Sequence, residues 1–197
     1  MKDVILYRIT RPLIKVFMKI FFRPTYIGTE LIPTDVNFIL AGNHTSYLDP
    51  LLLMSSNNKT IHFLAKDSLA KGIKGLLFRS MGIIPVNRKI HDKNALKTAE
   101  EELLNKKVIG IFPEGTINRT EEVTIPFKIG AVKMAQDTDT LLVPFTITGK
   151  YKLFRKSVVI EFYSPYKVKE DLTIENDRLR NFIGNELKRK KVSKWVY

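Results

Sequence analysis

The sequence predicts an α/β fold with a mixed, largely parallel central sheet flanked by helices. Six apolar segments rich in β-branched and aromatic residues alternate with helical patterns along the chain. Continuous apolar runs of this kind are typical of strands that are covered by helices on both faces of a sheet. The length of 197 residues, of which 44% are apolar, fits one globular domain with a sizeable core.

The order of these elements indicates where a site can form. The strand candidates are residues 36–41, 60–65, 82–86, 108–112, 140–147 and 157–163. The helical patterns cover residues 67–80, 91–106, 128–136 and the charged carboxyl-terminal segment 169–197. Cations crowded near the end of that last segment belong either to a solvated helix end or to a patch that faces membrane or substrate. Sites in such folds lie outside the carboxyl ends of strands, so the loops after the strands are the places to search.

Charge and composition exclude several classes of function. The chain carries 33 Lys and Arg against 20 Asp and Glu, a formal charge of +13, and has no cysteine. Disulfides, thiolate metal sites and a cysteine nucleophile are therefore impossible. The sequence has no P-loop and no G-x-G-x-x-G motif, which argues against nucleotide phosphoryl transfer and nicotinamide binding. It also lacks the G-x-S-x-G motif of a serine esterase. The histidines show no metal-ligand spacing, and no nucleic-acid-binding motif accompanies the positive charge.

The first 23 residues form a basic amphipathic helical pattern. On a helical projection, five cations fall within about 120° and leave the remaining arc apolar; these cations are Arg8, Arg11, Lys15, Lys19 and Arg23. The wide apolar arc favours a helix lying in the interface of an anionic membrane over an ordinary helix packed on the core. Pro12 predicts a kink or two short helices. We therefore expect an interfacial segment, residues 1–23, before a single domain, residues 24–197.

A histidine and an aspartate follow the first core strand, in the polar segment GNHTSYLDP (residues 42–50). On one continuous helix His44 and Asp49 would lie about 140° apart, so their contact requires a bend between strand and helix. Asp49 followed by Pro50 predicts such a helix start, with Asp49 as the N-cap. Asp49 could then hold the imidazole while it takes a proton from an alcohol. In the alternative, Asp49 only caps the helix and His44 only satisfies a backbone group.

The loop after strand 108–112 is the second candidate, with the sequence PEGTINR (residues 113–119). Gly115 permits a positive φ, so amides here can face an anion or a developing oxyanion, although a plain turn is the alternative. Cations also stand where neighbouring elements begin or end, namely Lys66, Arg88 and Lys128. Each alone fits a solvated surface charge, whereas several in one pocket would bind a phosphate.

The segments NHTSYLDP, MGIIPVNR, FPEGT, PFKIGA and LLVPF, in this order over about residues 38–150, resemble the glycerolipid acyltransferases, a family marked by a His-x4-Asp motif. The resemblance implies that His44 is the general base and Asp49 its partner, and that Arg88 helps to hold the acceptor's phosphate. It also implies a direct reaction without metal or cofactor. In that reaction an acyl group moves from coenzyme A or acyl carrier protein to the sn-2 hydroxyl of a 1-acylglycerol-3-phosphate, giving phosphatidic acid for phospholipid biosynthesis.

Two further family motifs are matched in this sequence. By resemblance, the third motif lies beside the acceptor's phosphate and the fourth shapes the site and the acyl path; the matching residues are Glu114, Gly115 and Thr116 for the third and Val143, Pro144 and Phe145 for the fourth. Ile117 stands where the third motif of the family continues with Arg. Arg119 is therefore the candidate substitute, with Lys66 and Lys128 as supporting cations.

These expectations place the protein on the cytoplasmic face of the cell membrane, as a peripheral or monotopic enzyme. Its partners would be anionic lipids, a lysophospholipid acceptor and the thioester donor, but not a nucleic acid. Two alternatives stay open. The acceptor could be another lysophospholipid or glycerol-3-phosphate, or the chain could be a non-enzymatic basic protein that binds membrane surfaces.

Overall fold

A seven-stranded sheet forms the centre of the computed structural model, which describes residues 5–70, 75, 82–87 and 92–193. The strands are β1 (Thr25–Ile27), β2 (Phe38–Gly42), β3 (Ile61–Lys66), β4 (Ile84–Val86), β5 (Val108–Ile111), β6 (Leu141–Gly149) and β7 (Val158–Phe162). Their order across the sheet is β1-β7-β6-β2-β5-β3-β4. Only β6 and β7 pair antiparallel in the described sheet. The predicted mixed, largely parallel sheet is thus confirmed.

Helices cover both faces of the sheet. They are α1 (Ile5–Phe21), α2 (Asp49–Ser56), α3 (Lys93–Leu104), α4 (Gly130–Asp137) and α5 (Leu172–Ser193). Side chains of β2 alternate between the two faces, as the pleat of a strand requires. Phe38 and Leu40 join the core beneath α1 and α2, whereas Ile39 and Ala41 join the core beneath α3, α4 and α5. Both faces of β2 are therefore buried, which explains its uninterrupted apolar sequence.

All six predicted strands are present, and each end differs from its predicted position by at most two residues. Strand β1 was not predicted, because three residues of which two are exposed leave little pattern to detect. The helical pattern over residues 67–80 begins as a short 3-10 helix, Asp67–Ala70; most of the rest lies outside the described residues. The remaining helical patterns correspond to α3, α4 and α5.

Helix α1 corrects one part of the expectation raised by Pro12, since it is a single helix and not two short ones. The helix runs from Ile5 to Phe21 without a break, with Pro12 inside it. Side chains on both sides of the proline, Tyr7 before it and Met18 after it, are buried in the core. Packing at both ends therefore outweighs the hydrogen bond that Pro12 removes. The helix contacts α2 and at the same time leaves a second apolar stripe exposed, formed by Ile9, Leu13, Val16, Phe17 and Ile20.

The topology brings three strand ends to one edge of the sheet. Strands β2, β3 and β5 are mutually parallel, so the loops that follow them start side by side. Strand β2 also pairs with β6 along its whole length. At Gly42 the strands approach so closely that a Cβ would lie 2.4 Å from the Phe145 carbonyl oxygen. A glycine at the end of β2 is therefore required by packing just before the polar loop begins.

We expect Gly42→Ala to lower the free energy of unfolding by roughly 1–3 kcal/mol or more, because the β6 backbone must move to admit the methyl group. Gly184→Ala in α5 is the matched control, since its nearest neighbour would be 3.7 Å away. There the change should be neutral or stabilise the helix by roughly 0.5–1 kcal/mol. Urea unfolding of both variants tests this, and equal effects at the two glycines would contradict it.

Candidate active site

His44 and Asp49 are in direct contact in the loop that joins β2 to α2. The distance from His44 Nδ1 to Asp49 Oδ2 is 2.9 Å. The Asp49 side chain is fully buried, whereas 12% of the His44 side chain is exposed. The chain bends between the strand and the helix, so residues five apart can face each other. With Nδ1 directed at the carboxylate, Nε2 is the ring nitrogen available to a substrate.

The Asp49 carboxylate accepts several further hydrogen bonds. Its Oδ2 receives the amides of Thr45 at 2.6 Å and Ser46 at 2.8 Å, and its Oδ1 receives the hydroxyl of Tyr151 at 2.7 Å. Burial and the neighbouring Asp49 charge both raise the pKa of Tyr151, so this hydroxyl keeps its proton and donates. Oriented donors of this kind stabilise a carboxylate that has no access to water.

Asp49 does not act as the N-cap that the sequence predicts. Leu48 occupies the cap position, and Asp49 is the first residue of α2. Its carboxylate turns back toward the preceding loop, where the amides of Thr45 and Ser46 meet it. The reason is that these two amides and the imidazole surround the carboxylate before the helix begins. Asp49 therefore shapes the loop that carries His44.

The imidazole of His44 is also held by an aromatic ring. Phe112, which follows β5, stacks on it with ring centroids 4.1 Å apart and planes 16° apart. Phe145 of β6 meets Phe112 edge-on at 5.9 Å. The position of His44 thus depends on three neighbouring strands, because β2 carries the loop while β5 and β6 supply the rings behind it.

A cavity of about 1240 Å³ opens beside His44 at this edge of the sheet. Its apolar wall includes Leu51 and Met54 of α2 and Phe63 of β3. Three of the predicted cations line the same cavity, namely Lys66, Arg119 and Lys128. Arg88 lies outside the described residues. A cavity that combines an apolar wall with several cations is suited to a molecule with a hydrocarbon chain and an anionic group.

Lys128, one of these cations, lies against Gly115 in the loop after β5. Gly115 has a φ of +69°, and a Cβ on it would lie 2.9 Å from Lys128 Cε and 3.2 Å from Lys128 Nζ. The Lys128 side chain thus crosses the backbone of the loop, where a larger residue would displace it. Thr116 and Ile117 line the cavity beside Gly115. No cluster of His, Asp or Glu suited to a metal ion occurs in the part of the chain that the structure describes.

Comparison with known proteins identifies the family. The model of the Acyltransferase family matches residues 23–148. This chain belongs to the acyltransferase family.

Individual relatives of this acyltransferase carry a more specific name. A 1-acyl-sn-glycerol-3-phosphate acyltransferase of Borreliella burgdorferi is 35% identical over 135 residues, which cover 67% of this chain and 54% of the relative. One from Bacillus subtilis is 30% identical over 156 residues, 77% of either chain. The chain thus matches about half the length of the first relative and about three quarters of the second. A crystal structure of the 1-acyl-sn-glycerophosphate acyltransferase PlsC from Thermotoga maritima shares the fold, with a TM-score of 0.76 and 24% identity over 97% of this chain and 84% of that one.

Glu114 of the acyltransferase lies on the other side of His44. It lines a second cavity of about 510 Å³, together with Lys150, Lys190 and Lys191. Its Oε1 accepts the backbone amide of His44 at 3.1 Å. Burial raises the pKa of Glu114 to about 7, against the opposing effect of amides that favour the carboxylate. Glu114 is thus placed to hold the backbone of His44, whereas Gly115 and Thr116 of the same motif line the larger cavity.

The three residues matched to the fourth motif are buried in β6. Val143, Pro144 and Phe145 pair with Leu40, Ala41 and Gly42 of β2. Phe145 reaches the site indirectly, through its contact with Phe112. Their role in the acyl path stays a prediction.

Phe112 and Tyr151 contact the His44–Asp49 pair, and the sequence did not single out either of them. Phe112 is the last residue of an apolar run and looks like core. Tyr151 lies 102 positions from Asp49 and belongs to no recognised motif.

Basic residues near the carboxyl end of α5 are partly engaged in ion pairs. Lys190 pairs with Glu161 of β7, and Arg189 pairs with Glu186 one turn away. Lys190 also donates to the Thr146 hydroxyl at 2.8 Å. These contacts attach part of this cationic segment to the sheet, while Lys194 lies outside the described residues. A further role of the segment toward membrane or substrate stays a prediction.

The raised pKa of Glu114 predicts a stability that depends on pH. The unfolded chain releases this proton near the ordinary value of 4.5 and the folded chain near 7, so the free energy of unfolding falls as the pH rises through this window. Glu114→Gln keeps an oxygen for the His44 amide and removes the titration. Urea unfolding should show that the free energy of unfolding of the variant, relative to that of the parent, rises by roughly 1–3 kcal/mol between about pH 5 and pH 8. A difference that stays constant with pH would contradict this.

Proposed function

We propose that this acyltransferase moves a fatty acyl group from an acyl thioester to the sn-2 hydroxyl of 1-acylglycerol-3-phosphate, giving phosphatidic acid. The observation that carries the proposal is the His44–Asp49 pair, whose Nδ1 and Oδ2 atoms are 2.9 Å apart. His44 lies in the wall of a cavity that has both an apolar side and several cations. The names of the relatives from Borreliella and Bacillus support the choice of acceptor.

In the proposed reaction His44 acts as a general base. Its Nε2 takes the proton of the acceptor's hydroxyl as the oxygen attacks the carbonyl carbon of the thioester. The tetrahedral intermediate then collapses, the carbon–sulfur bond breaks, and the imidazolium returns the proton to the leaving thiolate. Asp49 holds the tautomer with hydrogen on Nδ1 and stabilises the imidazolium while it exists. No acyl-enzyme forms, so no nucleophilic side chain is needed.

The cavity offers separate places for the two ends of the acceptor. Lys66, Arg119 and Lys128 supply positive charge for its phosphate, and Arg88 is expected to join them. The apolar wall, with Leu51, Met54 and Phe63, suits the acyl chain that the acceptor already carries. The position of Arg119 in the cavity wall supports its proposed role, in which it replaces the arginine that the family has where Ile117 stands here.

The identity of the acyl donor and the exact acceptor need a direct comparison of substrates. Initial rates with lysophosphatidic acid, other lysophospholipids and glycerol-3-phosphate, each with acyl-coenzyme A and acyl carrier protein, would rank them. Among these acceptors, we expect lysophosphatidic acid to give the highest kcat/KM. A preference for glycerol-3-phosphate would overturn the proposed acceptor while leaving the chemistry of His44 intact.

Helix α1 supports a location at a membrane surface, which we propose to be the cytoplasmic face of the cell membrane. Its exposed stripe, Ile9, Leu13, Val16, Phe17 and Ile20, lies next to exposed Arg8, Lys15 and Lys19. Apolar and basic stripes side by side are the pattern of a helix that lies in an anionic interface. Among the described helices, none combines the length and apolar character that crossing a membrane requires.

His44→Ala should abolish transfer while the protein stays folded. Loss of a general base lowers kcat by about a hundredfold or more, and the partly exposed ring leaves no large cavity in the core. Thioester release in the presence of lysophosphatidic acid measures the rate, and the thermal unfolding midpoint controls for folding. More than about a tenth of the parental rate in a folded variant would rule out this role.

Arg119→Ala and Lys128→Ala should each raise the KM for the acceptor by roughly tenfold with little change in kcat, because each removes a charge-assisted contact with the phosphate. Lys133→Ala is the matched control: this lysine of α4 pairs with Asp137 and does not line the cavity. A change confined to the KM for the donor would show that these cations serve the thioester instead.

A further inference from the structure

The loop between β6 and β7 exposes two large apolar side chains at its tip. Leu153 is 59% exposed and Phe154 is 55% exposed. Phe154 adopts a φ of +58°, in the left-handed region that a bulky side chain rarely occupies. Its backbone amide donates to the carbonyl of Phe21 at the end of α1. The loop is therefore held in a conformation that presents these side chains to the surroundings.

The tip of the loop continues the exposed stripe of α1. The rings of Phe154 and Phe21 have centroids 5.5 Å apart, and Phe21 lies 5.0 Å from Phe17, which is itself exposed on α1. Three aromatic rings thus connect the helix stripe to the loop. The two elements form one apolar surface, which we call the α1–loop surface: Ile9, Leu13, Val16, Phe17, Ile20, Leu153 and Phe154.

The two segments that form this surface carry charges of one sign. Residues 150–156 contain four cations and no acidic residue, and residues 4–29 contain five cations and no acidic residue. The cations of the loop are Lys150, Lys152, Arg155 and Lys156. An apolar patch whose two segments carry only positive charge is complementary to an anionic bilayer. A second copy of this chain would bring the same cations against each other, which disfavours self-association through this surface.

The same loop is attached to the catalytic pair. Tyr151 donates its hydroxyl to Asp49 at 2.7 Å and packs edge-on against Phe22, with ring centroids 5.6 Å apart. Only Lys152 therefore separates Tyr151, whose hydroxyl holds Asp49, from Leu153 at the exposed tip. Any contact that fixes the tip against a surface also fixes the distance of Asp49 and His44 from that surface.

We propose that the β6–β7 loop is a second membrane-contacting element, which inserts Leu153 and Phe154 into an anionic bilayer beside α1 and so positions the His44–Asp49 pair at the lipid surface. The inference rests on the proposed function in taking the acceptor to be a membrane lipid. It adds that α1 does not dock alone. The loop supplies a contact that is linked to the catalytic pair through the hydrogen bond of Tyr151 to Asp49.

Insertion can be tested with a fluorescent probe at the tip. Phe154→Trp, in a Trp195→Phe background that removes the native tryptophan, is mixed with phosphatidylcholine vesicles with or without phosphatidylglycerol. With phosphatidylglycerol present, its emission should move to shorter wavelength and be quenched by brominated acyl chains. Leu104→Trp in the same background is the matched control, because Leu104 is 69% exposed on α3, which covers the opposite face of the sheet. Its emission should not change.

A binding measurement tests the contribution of the loop. Leu153→Ser and the double variant Leu153→Ser with Phe154→Ser should co-sediment with the phosphatidylglycerol vesicles less than the parent, the double variant by about tenfold or more. Leu104→Ser should bind as the parent does. The single Leu153 variant shows whether weaker binding arises without a loss of structure, because Leu153 takes no part in the aromatic contacts with α1.

Three outcomes would overturn the proposal. These are unchanged Phe154→Trp emission while the protein co-sediments, parental binding by the double variant, and a parent that forms dimers but binds no vesicles. None of these readouts involves acyl transfer, so failure of the proposed reaction would leave them unaffected. Conversely, an active enzyme whose loop stays in water would refute the loop contact alone.

Discussion

The buried charge of Asp49 is the constraint on which the catalytic edge depends. A carboxylate without access to water is stable only when donors surround it. Here two backbone amides, a tyrosine hydroxyl and an imidazole converge on two oxygens. The amides come from the loop after β2 and the hydroxyl from the loop after β6. Satisfying one charge therefore sets the shape of the first loop and attaches it to the second, and the position of His44 follows from both.

The loop after β5 also fixes the position of His44, through contacts with its backbone and its ring. Glu114 accepts the amide of His44, and the amide of Asn118 donates to the His44 carbonyl at 2.9 Å. Both backbone polar groups of the histidine are thus bound by one neighbouring loop, while Phe112 covers its ring. That loop continues to Arg119, and its Pro113 carbonyl accepts the amide of Lys128 at 2.8 Å. His44, Arg119 and Lys128 therefore belong to one connected unit, which constrains the distances between the base and these two cations.

Much of this arrangement could be predicted from the sequence, since it is encoded locally. Buried strands appear as apolar runs, and the polar segments that hold His44 and Gly115 directly follow two of them. The details that were missed depend on contacts between distant residues. The position of Tyr151 beside Asp49 follows from the pairing of β6 with β2, and the continuity of α1 through Pro12 follows from the burial of Tyr7 and Met18. Likewise, the backward turn of the Asp49 carboxylate requires knowledge of which amides surround it.

A comparison of two histidines shows why residue type alone does not identify the base. His62 of β3 is almost completely buried, and burial lowers its pKa. The charge of Glu102 acts in the opposite direction, but that of Lys107, which pairs with Glu102, acts with the burial. His62 is thus a core residue with a lowered pKa, and the carboxylate of Glu102 that acts on it is paired with a lysine. His44 differs in having a carboxylate in direct contact and an edge exposed in two cavities. Proton transfer needs both features, because the carboxylate stabilises the charge that the imidazole gains and the opening admits the hydroxyl that supplies the proton.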